Sequence, residues 1–130
     1  MDGLTVFEVE AERIRRAQAD LLATERPHPA GACAFLDHAG ACRIYADRPY
    51  VCRTQGLPLR WLEGAGEEGS FELRDICPLN DVESHPVEDL PPESCWTIGP
   101  VEDRLARLQE EWGDGELRRV PLRSLFRRIV

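Results

Sequence analysis

The sequence contains no lysine, and all 16 of its basic residues are arginine. Acidic residues number 24, so the formal net charge is −8 at pH 7. Proteins bind duplex nucleic acid largely through clustered lysine and arginine side chains that neutralise phosphates. The composition therefore argues against a general phosphate-binding surface, and we expect no nucleic-acid partner.

The sequence also lacks a long apolar run, since no stretch approaches the length that a transmembrane helix needs. Residues 1–20 carry arginines and several acidic residues, so they lack the apolar core of a secretory signal. We therefore expect no membrane partner. We also expect a cytoplasmic location, where a reducing environment leaves cysteines free, catalytic or metal-bound.

Common catalytic motifs are missing as well. The sequence has no G-x-S-x-G elbow, phosphate-binding glycine loop, H-E-x-x-H pair or dinucleotide-binding fingerprint. The sequence therefore favours a protein that is not an enzyme, and whether it has enzymatic activity stays open. If the protein is an enzyme, its cysteines favour an iron–sulfur oxidoreductase.

Cysteine is what the sequence does have, with five in 130 residues. Four of them, Cys33, Cys42, Cys52 and Cys77, follow one another through a stretch rich in glycine and proline. Four thiolates can close a tetrahedral zinc site or hold an iron–sulfur cluster. An odd number of cysteines in a reducing compartment argues against a disulfide framework. We therefore predict that these four bind zinc or an iron–sulfur cluster, and the residue types leave the choice of metal open.

Some residues have more than one interpretation. Each cysteine could be a small buried hydrophobe, since free cysteine is among the most buried residue types. Cys95 could replace Cys77 as a ligand, act as a resolving thiol, or be buried beside Trp96. His38 lies in the turn between two predicted ligands, where it is an alternative ligand or a solvated turn residue.

Basic residues stand next to the predicted ligands, because two arginines directly follow a ligand and a third lies between them. A metal or cluster with four thiolates carries a net negative charge, which guanidinium groups offset while they donate hydrogen bonds to sulfur. The alternative for these arginines is surface pairing with Asp37 or Asp47. The residues predicted to surround the ligands are Arg43, Arg48, Arg53 and Tyr45.

The sequence predicts one small, irregular domain of the α+β class over residues 1–130. Its first element is a helix over about residues 6–24, because apolar residues recur there at helical spacing and prolines follow. Thr5 and Glu8 form a T-x-x-E capping box at the start of this helix. We expect the helix to pack beside the cysteine region.

A hairpin is predicted between the first two cysteines. Residues 34–36 and 43–45 would pair across a turn-forming sequence and bring Cys33 and Cys42 close together.

A short helical turn is predicted around the third cysteine. Asp47 would cap this turn, Pro49 would lie early in it, and Cys52 would lie at its end. Residues 57–62 and 70–73 are further candidate strands, on either side of a glycine-rich turn. Their connection would return the chain toward the other cysteines.

Helices are predicted again near the C-terminal end. One begins near Pro100, a favoured first helical residue, and ends at Gly113. Its apolar stripe is expected to pack against the protein, and a short helix near the end of the chain is expected to cover the core. The stripe is Val101, Leu105, Leu108 and Trp112, and the short helix carries Val120, Leu122, Leu125, Phe126 and Ile129.

The cysteine region resembles a known family. The YkgJ-type cysteine-cluster family, also called CxxCxxCC, is a zinc- or iron-chelating domain with the patterns C-x-F-L, G-x-C-x-I-Y and R-P-x-x-C-R. The resemblance implies metal binding and a further ligand at Cys77, but it does not indicate any enzymatic reaction. The matching segments are Cys33-Ala-Phe-Leu, Gly40-Ala-Cys42-Arg-Ile-Tyr and Arg48-Pro49-Tyr-Val-Cys52-Arg53.

The sequence departs from the family pattern at one point. The family also carries an upstream cluster that ends in two adjacent cysteines and would lie just before Leu4. The sequence has no cysteine before Cys33. The sequence thus contains the downstream half of the pattern. If the native protein also lacks the upstream cluster, a site with two centres is excluded and one four-thiolate site remains.

Three functions are consistent with these observations. The first is metal chelation, of zinc or an iron–sulfur cluster, for storage, transfer or structure. The second is redox chemistry or electron transfer by an iron–sulfur cluster. The third is a protein-interaction module, in which the metal stabilises a small fold that binds a protein partner. The sequence favours the first.

Overall fold

The computed structural model describes residues 3–64, 69 and 71–126. Short helices and strands alternate with long irregular segments, which confirms the expected mixed α+β class. The described helices are α1 (Glu8–Ala17), α2 (Ala19–Thr24), α3 (Tyr50–Arg53) and α4 (Pro100–Trp112). The described strands are β1 (Thr5–Phe7), β2 (Leu59–Glu63), β3 (Phe71–Asp75), β4 (Trp96–Thr97) and β5 (Arg119–Pro121).

Residue contacts divide the chain into two compact units. The first unit contains the described residues up to Arg53 and those from Leu105 onward. The second unit contains Thr54–Arg104. The single domain expected over residues 1–130 stays a prediction.

The first unit has an apolar core. Strand β1 pairs antiparallel with β5, with Val6 opposite Val120. Helices α1 and α2 contribute buried apolar residues to the same core, and each fully buried Leu, Ile or Phe side chain contributes about 1.5–3 kcal/mol to stability. The buried members of this core are Val6, Ala11, Ile14, Leu22, Ala34, Phe35, Ile44, Leu122, Leu125 and Phe126.

The first helix begins later than predicted and is interrupted. It starts at Glu8, and Gln18 separates α1 from α2 with a non-helical φ of −123°. The predicted capping box is wrong, because Thr5 lies in β1 and the residue before the helix, Phe7, makes no side-chain cap hydrogen bond.

Partners distant in sequence satisfy the N-terminal amides of α1 instead. The Val9 N–H donates to the Gln109 side-chain oxygen at 2.8 Å, and the Glu8 N–H donates to the Arg118 carbonyl at 3.1 Å. The first amides of a helix have no partner within the helix, so such acceptors fix where it starts.

Helix α4 has the predicted bounds but not the predicted buried face. It runs over Pro100–Trp112, as the proline and the following Gly113 indicate. Gln109 is its buried residue, with 1% of its surface exposed, whereas Leu108 and Trp112 are 50% and 47% exposed. The expected packing of Leu108 and Trp112 is therefore wrong. The buried position on α4 is occupied by Gln109, whose side-chain oxygen accepts the Val9 N–H.

The end of the described chain is only partly helical. Val120 lies in strand β5, and a short 3₁₀ helix follows over Leu122–Leu125. Leu122, Leu125 and Phe126 are buried, so they cover the core as predicted. The predicted residue Ile129 lies outside the described residues.

The second unit is built on a small sheet in the order β3-β2-β4. Strands β2 and β3 are antiparallel, with a register that runs from Leu59 opposite Asp75 to Glu63 opposite Phe71. The two strands lie close to the predicted ranges 57–62 and 70–73, of which Ser70 lies outside the described residues.

Strand β4 and an arginine pair complete the second unit. Strand β4 pairs parallel with β2. Arg60 and Arg74 both bind the Glu72 carboxylate on one face of the sheet. Arg74 also donates to the carbonyls of Val87 and Leu90, which ties the 3₁₀ turn over Val87–Asp89 to the sheet.

Within the described ranges, no helix has both the length and the apolar character needed to cross a bilayer.

Candidate metal centre

The predicted ligands are divided between the two units. The first unit contains Cys33, Cys42 and Cys52, and the second contains Cys77 and the alternative ligand Cys95. All five are free thiols.

The loop that joins the first two cysteines is a compact turn with little strand character. The predicted hairpin is reduced to one antiparallel bridge between Leu36 and Cys42. The Arg43 N–H donates to the Phe35 carbonyl at 2.9 Å, which closes the loop below the bridge. Cys33 and Cys42 are half-buried, and both pack against the core of the first unit. Both cysteines therefore lie on the core of the first unit, and the expected close approach of their sulfur atoms stays a prediction.

Asp37 shapes the tip of this loop. Its Oδ1 accepts the Ala39 N–H at 2.8 Å and the Ala41 N–H at 2.9 Å. These bonds, led by the one from Ala41, hold the pKa of the Asp37 carboxyl below its ordinary value. Gly40 has a φ of +85°, a conformation that a residue with a side chain rarely adopts. The carboxylate therefore forms a turn, and neither of these bonds involves Arg43.

His38, the alternative ligand, is exposed at the tip of the same loop. It lines an open groove of about 620 Å³ together with His28, Asp37 and Arg43.

The third cysteine lies in the predicted short helical turn. A 3₁₀ helix over Tyr45–Asp47 leads to the buried Pro49, and α3 follows with Cys52 in its third position. The Cys52 N–H donates to the Pro49 carbonyl at 3.0 Å. Cys52 is half-buried.

Helix α1 holds this segment in place from the outside. Gln18 donates to the Asp47 Oδ2 at 2.7 Å, and Arg13 lies 3.6 Å from the Asp47 Oδ1. Arg13 also donates to the backbone carbonyl of Asp47 at 2.9 Å. The Tyr50 N–H, at the start of α3, donates to the Glu10 Oε2 at 2.8 Å. Asp47 is therefore a partner of α1, and Glu10 is the acceptor found at the start of α3.

The electrostatics of Cys52 show which groups surround its sulfur. Burial raises the pKa of the Cys52 thiol above its ordinary value, and the thiolate charges of Cys33 and Cys42 raise it further. The Arg48 guanidinium lowers this pKa, whereas the Glu10 carboxylate raises it. Coulomb interactions weaken with distance and are screened by solvent. The pKa of Cys52 is therefore set mainly by burial, with smaller effects from the charges of Cys33, Cys42, Arg48 and Glu10.

The predicted arginines bind backbone carbonyls around these thiols. Arg43 donates to the Ala34 carbonyl at 2.7 Å and lies over the Phe126 ring, 5.3 Å from its centroid. Arg53 donates to the carbonyls of Arg48 and Ala46 at 2.8 and 2.9 Å. These contacts fix the shape of the segments that carry the cysteines.

Arg48 and Tyr45 form a pair at the surface. The Arg48 guanidinium lies 3.8 Å from the centroid of the Tyr45 ring and donates to the Tyr45 carbonyl at 2.9 Å. Tyr45 is 65% exposed. The Arg48 guanidinium is among the groups that lower the pKa of Cys52.

Arg123 is a contributor that the sequence did not reveal. Its guanidinium donates to the carbonyls of His28 and Ala32, at 2.5 and 2.9 Å, and to that of Pro29 at 3.4 Å. These carbonyls belong to the segment that leads into Cys33. Glu10, Arg13 and Gln18 were missed in the same way, because each contacts a segment about 30 or more residues further along the chain.

The two cysteines of the second unit have different surroundings. Cys77 is exposed and lines an open groove of about 430 Å³ with Thr54, Leu59 and Asp75. Its carbonyl accepts the Asn80 N–H at 2.8 Å. Cys95 is buried, as one of its interpretations had it. The part of either cysteine in a metal site stays a prediction.

The thiols of the first unit are of the right chemical type for a soft metal, but they are not already arranged as a metal site. Three half-buried thiols share one region, and thiolates suit both zinc and iron–sulfur clusters. However, the described residues contain no group of three or more His, Cys, Asp or Glu side chains already arranged to hold a metal ion. Chelation would therefore require the sulfur atoms to draw closer together.

Comparison with protein families identifies the chain. The model of the CxxCxxCC family, described as a putative zinc- or iron-chelating domain, matches residues 3–78. The chain belongs to this family. The match covers more than half of the chain and includes Cys33, Cys42, Cys52 and Cys77, so the resemblance seen in the cysteine motifs is confirmed. No curated protein and no solved structure matches the chain.

Proposed function

We propose that this CxxCxxCC protein chelates zinc or an iron–sulfur cluster, with Cys33, Cys42 and Cys52 as ligands. One observation carries the proposal: Cys33, Cys42 and Val51, the residue before Cys52, all pack against the core of the first unit, so the three cysteine-bearing segments meet at one part of the molecule. Cysteines that serve only as small hydrophobes are normally fully buried, whereas these three are half-buried, and three thiolates provide most of a tetrahedral site.

The charge balance of the region supports this assignment. Three thiolates close together repel one another, and each is stabilised by a metal cation that binds all three. The Arg48 guanidinium offsets part of the remaining negative charge at Cys52. In the metal-free protein the raised pKa of Cys52 favours the neutral thiol, so Cys52 must lose its proton on chelation. We therefore expect metal affinity to fall as the pH is lowered.

Metal binding in this protein would be coupled to local folding. The thiols are near one another but not arranged as a finished site, and the loops that carry them are held by arginine-to-carbonyl hydrogen bonds. A bound metal would cross-link the loop around Cys33 and Cys42 to helix α3. The free energy of binding then adds to the stability of the first unit.

A fourth ligand is needed for a closed tetrahedral site. The sequence predicts Cys77, which is exposed and lies in the second unit. Cys95 and His38 stay alternatives. Substitution of Cys77 by serine tests this prediction, because loss of a true fourth ligand lowers metal affinity.

The metal content of the purified protein tests the proposal. The protein would be purified without oxygen, and its metals and visible absorbance would be measured. We expect a stoichiometric metal: either one zinc in a colourless protein, or iron and sulfide in a coloured one. An iron–sulfur cluster that is reduced and reoxidised reversibly would favour redox chemistry as the role of the site. A metal-free protein that cannot be loaded with zinc or iron would overturn the proposal.

A further inference from the structure

The second unit contains an open groove at one end of its sheet. Two residues that line it, Leu59 at the start of β2 and Asp75 at the end of β3, lie opposite each other in the register. Residues opposed in antiparallel strands project from the same face of a sheet. Leu57, Ile76 and Pro78 add apolar surface to the groove. Its volume of about 430 Å³ lies in the range of protein ligand pockets.

A hydrogen bond fixes the shape of this groove. The Asn80 side chain donates to the Gly56 carbonyl at 2.8 Å, which joins the segment before β2 to the turn after Cys77. Gly56 has a φ of +82°, and a Cβ on it would lie 2.9 Å from the Asn80 Nδ2. The two segments that border the groove are therefore held together before any ligand binds, which lowers the ordering cost of binding.

The groove contains one carboxylate that has no cation. Asp75 is the charged residue among the described residues that line it, and it is exposed. Its Oδ1 accepts the Ile76 N–H at 2.9 Å, which leaves Oδ2 for a ligand. In the described part of the chain Asp75 forms no ion pair, because the neighbouring Arg60 and Arg74 bind Glu72. A cationic group in the groove would therefore find an unpaired acceptor.

The charge of the second unit also favours a basic ligand. Residues 54–104 contain 12 acidic residues and three arginines, whereas the rest of the chain contains 12 acidic residues and 13 arginines. Beside the groove the acidic residues alternate with exposed apolar ones, since Leu79 is 93% exposed and Val82 is 52% exposed. Such a surface is complementary to a protein segment that is both basic and apolar, and its field attracts cationic partners.

We propose that this groove binds an arginine or lysine side chain from a basic segment of a partner protein. The long apolar stems of arginine and lysine pack on apolar surface while their charged ends reach a polar group. The stem would lie against Leu57, Leu59 and Ile76, and its cation would donate to the Asp75 carboxylate. Hydrogen bonds between charged groups are the strong ones. The inference is independent of the proposed chelating function and does not use the Cys77 thiol.

Fluorescence anisotropy with a labelled peptide tests the inference on the full-length protein. The probe is Leu-Arg-Leu-Arg-Leu between glycines, and its control carries citrulline, a neutral residue of the same shape, in place of each arginine. We expect the arginine peptide to bind at least about 10-fold more tightly, since citrulline cannot form the charged hydrogen bond. Added salt should weaken binding of the arginine peptide. Equal affinities for the two peptides would overturn the inference.

A matched pair of variants separates the groove from the general acidity of the unit. Asp75→Asn removes the carboxylate and keeps an oxygen that can accept the Ile76 N–H. Glu93→Gln removes the same charge from an exposed residue that does not line the groove. We expect Asp75→Asn to weaken binding of the arginine peptide at least about 10-fold and Glu93→Gln to leave it nearly unchanged. Equal losses in both variants would overturn the groove as the site, and the peptide comparison on the original protein needs neither variant to fold.

Sedimentation of the original protein tests whether a second copy fills the groove instead. We expect the same oligomeric state for the original protein and for Asp75→Asn. A dimer that Asp75→Asn dissociates would overturn the assignment to a partner protein, because an arginine of the second copy would then occupy the groove.

Discussion

Replacing Arg123 by alanine should destabilise the first unit and weaken its hold on metal. The Arg123 guanidinium donates to three backbone carbonyls of the segment before Cys33, at 2.5, 2.9 and 3.4 Å. A hydrogen bond to a charged group contributes about 1.5–3 kcal/mol, and a carbonyl left without its donor adds to the loss where water cannot reach it. The segment is partly exposed, so water can replace some of these contacts. We therefore expect the free energy of unfolding to fall by about 2–3 kcal/mol.

Urea unfolding followed by circular dichroism measures this change. Arg123→Lys should recover only part of the loss, because an ammonium group is a point charge and cannot serve three carbonyls in the way the planar guanidinium does. The matched control is Arg16→Ala, which removes an exposed pair with Glu12 and should cost no more than about 0.5 kcal/mol. Zinc affinity should also fall in Arg123→Ala, because the segment that leads into Cys33 becomes less ordered. Equal stabilities for Arg123→Ala and Arg16→Ala would refute the reasoning.

Two further predictions concern other parts of the molecule. Gln109→Leu places an apolar side chain of similar size at this buried position but leaves the Val9 N–H without its acceptor, so urea unfolding should show a loss of about 1–3 kcal/mol. An unchanged midpoint would show that water replaces the amide. The pKa of Glu72 lies below its ordinary value of 4.5, first because Arg60 donates a hydrogen bond to its carboxylate and also because Arg74 does. Its contribution to stability is therefore present above about pH 4.5 and is lost as the pH falls through the lowered pKa. Glu72→Gln should therefore flatten the dependence of stability on pH in this acidic range, measured by thermal unfolding at a series of pH values; an unaltered dependence would show that the pairs with Arg60 and Arg74 do not contribute.

The sequence predicted features that depend on residues close together in the chain. The bounds of α4 follow from Pro100 and Gly113, and the short turn before Cys52 follows from its proline. The sheet strands β2 and β3 were recognised because leucines and aromatic residues stand on either side of a glycine-rich turn. The cysteine motifs identified the family, because their spacing and neighbours are local in the same sense.

Features that depend on distant residues could not be predicted in this way. Thr5 and Glu8 match a capping box, but Thr5 pairs with β5, and the amides of α1 find their acceptors about a hundred residues away. Gln109 was missed because a polar residue on a helix is normally exposed, and only its partner Val9 explains its burial.

The surroundings of the cysteines show the same limit. Arg43 and Arg53 adjoin cysteines in sequence, which suggested contacts with sulfur, whereas in the fold they bind carbonyls. Glu10 lies on the exposed side of a predicted helix and carries no motif. Its contact with the Tyr50 N–H results from the packing of α1 against the segment that leads into α3, and the two residues lie 40 positions apart in the chain.

The stabilisation produced by zinc measures most directly whether the three thiols hold one metal. Thermal unfolding would be followed for the original protein and for Cys42→Ser, each with and without zinc. A ligand present at about 100 times its dissociation constant stabilises the folded state by about 2.7 kcal/mol, so zinc should clearly raise the unfolding temperature of the original protein. The same zinc concentration should leave Cys42→Ser nearly unaffected. Equal stabilisation of both proteins, or of neither, would contradict a shared site at Cys33, Cys42 and Cys52.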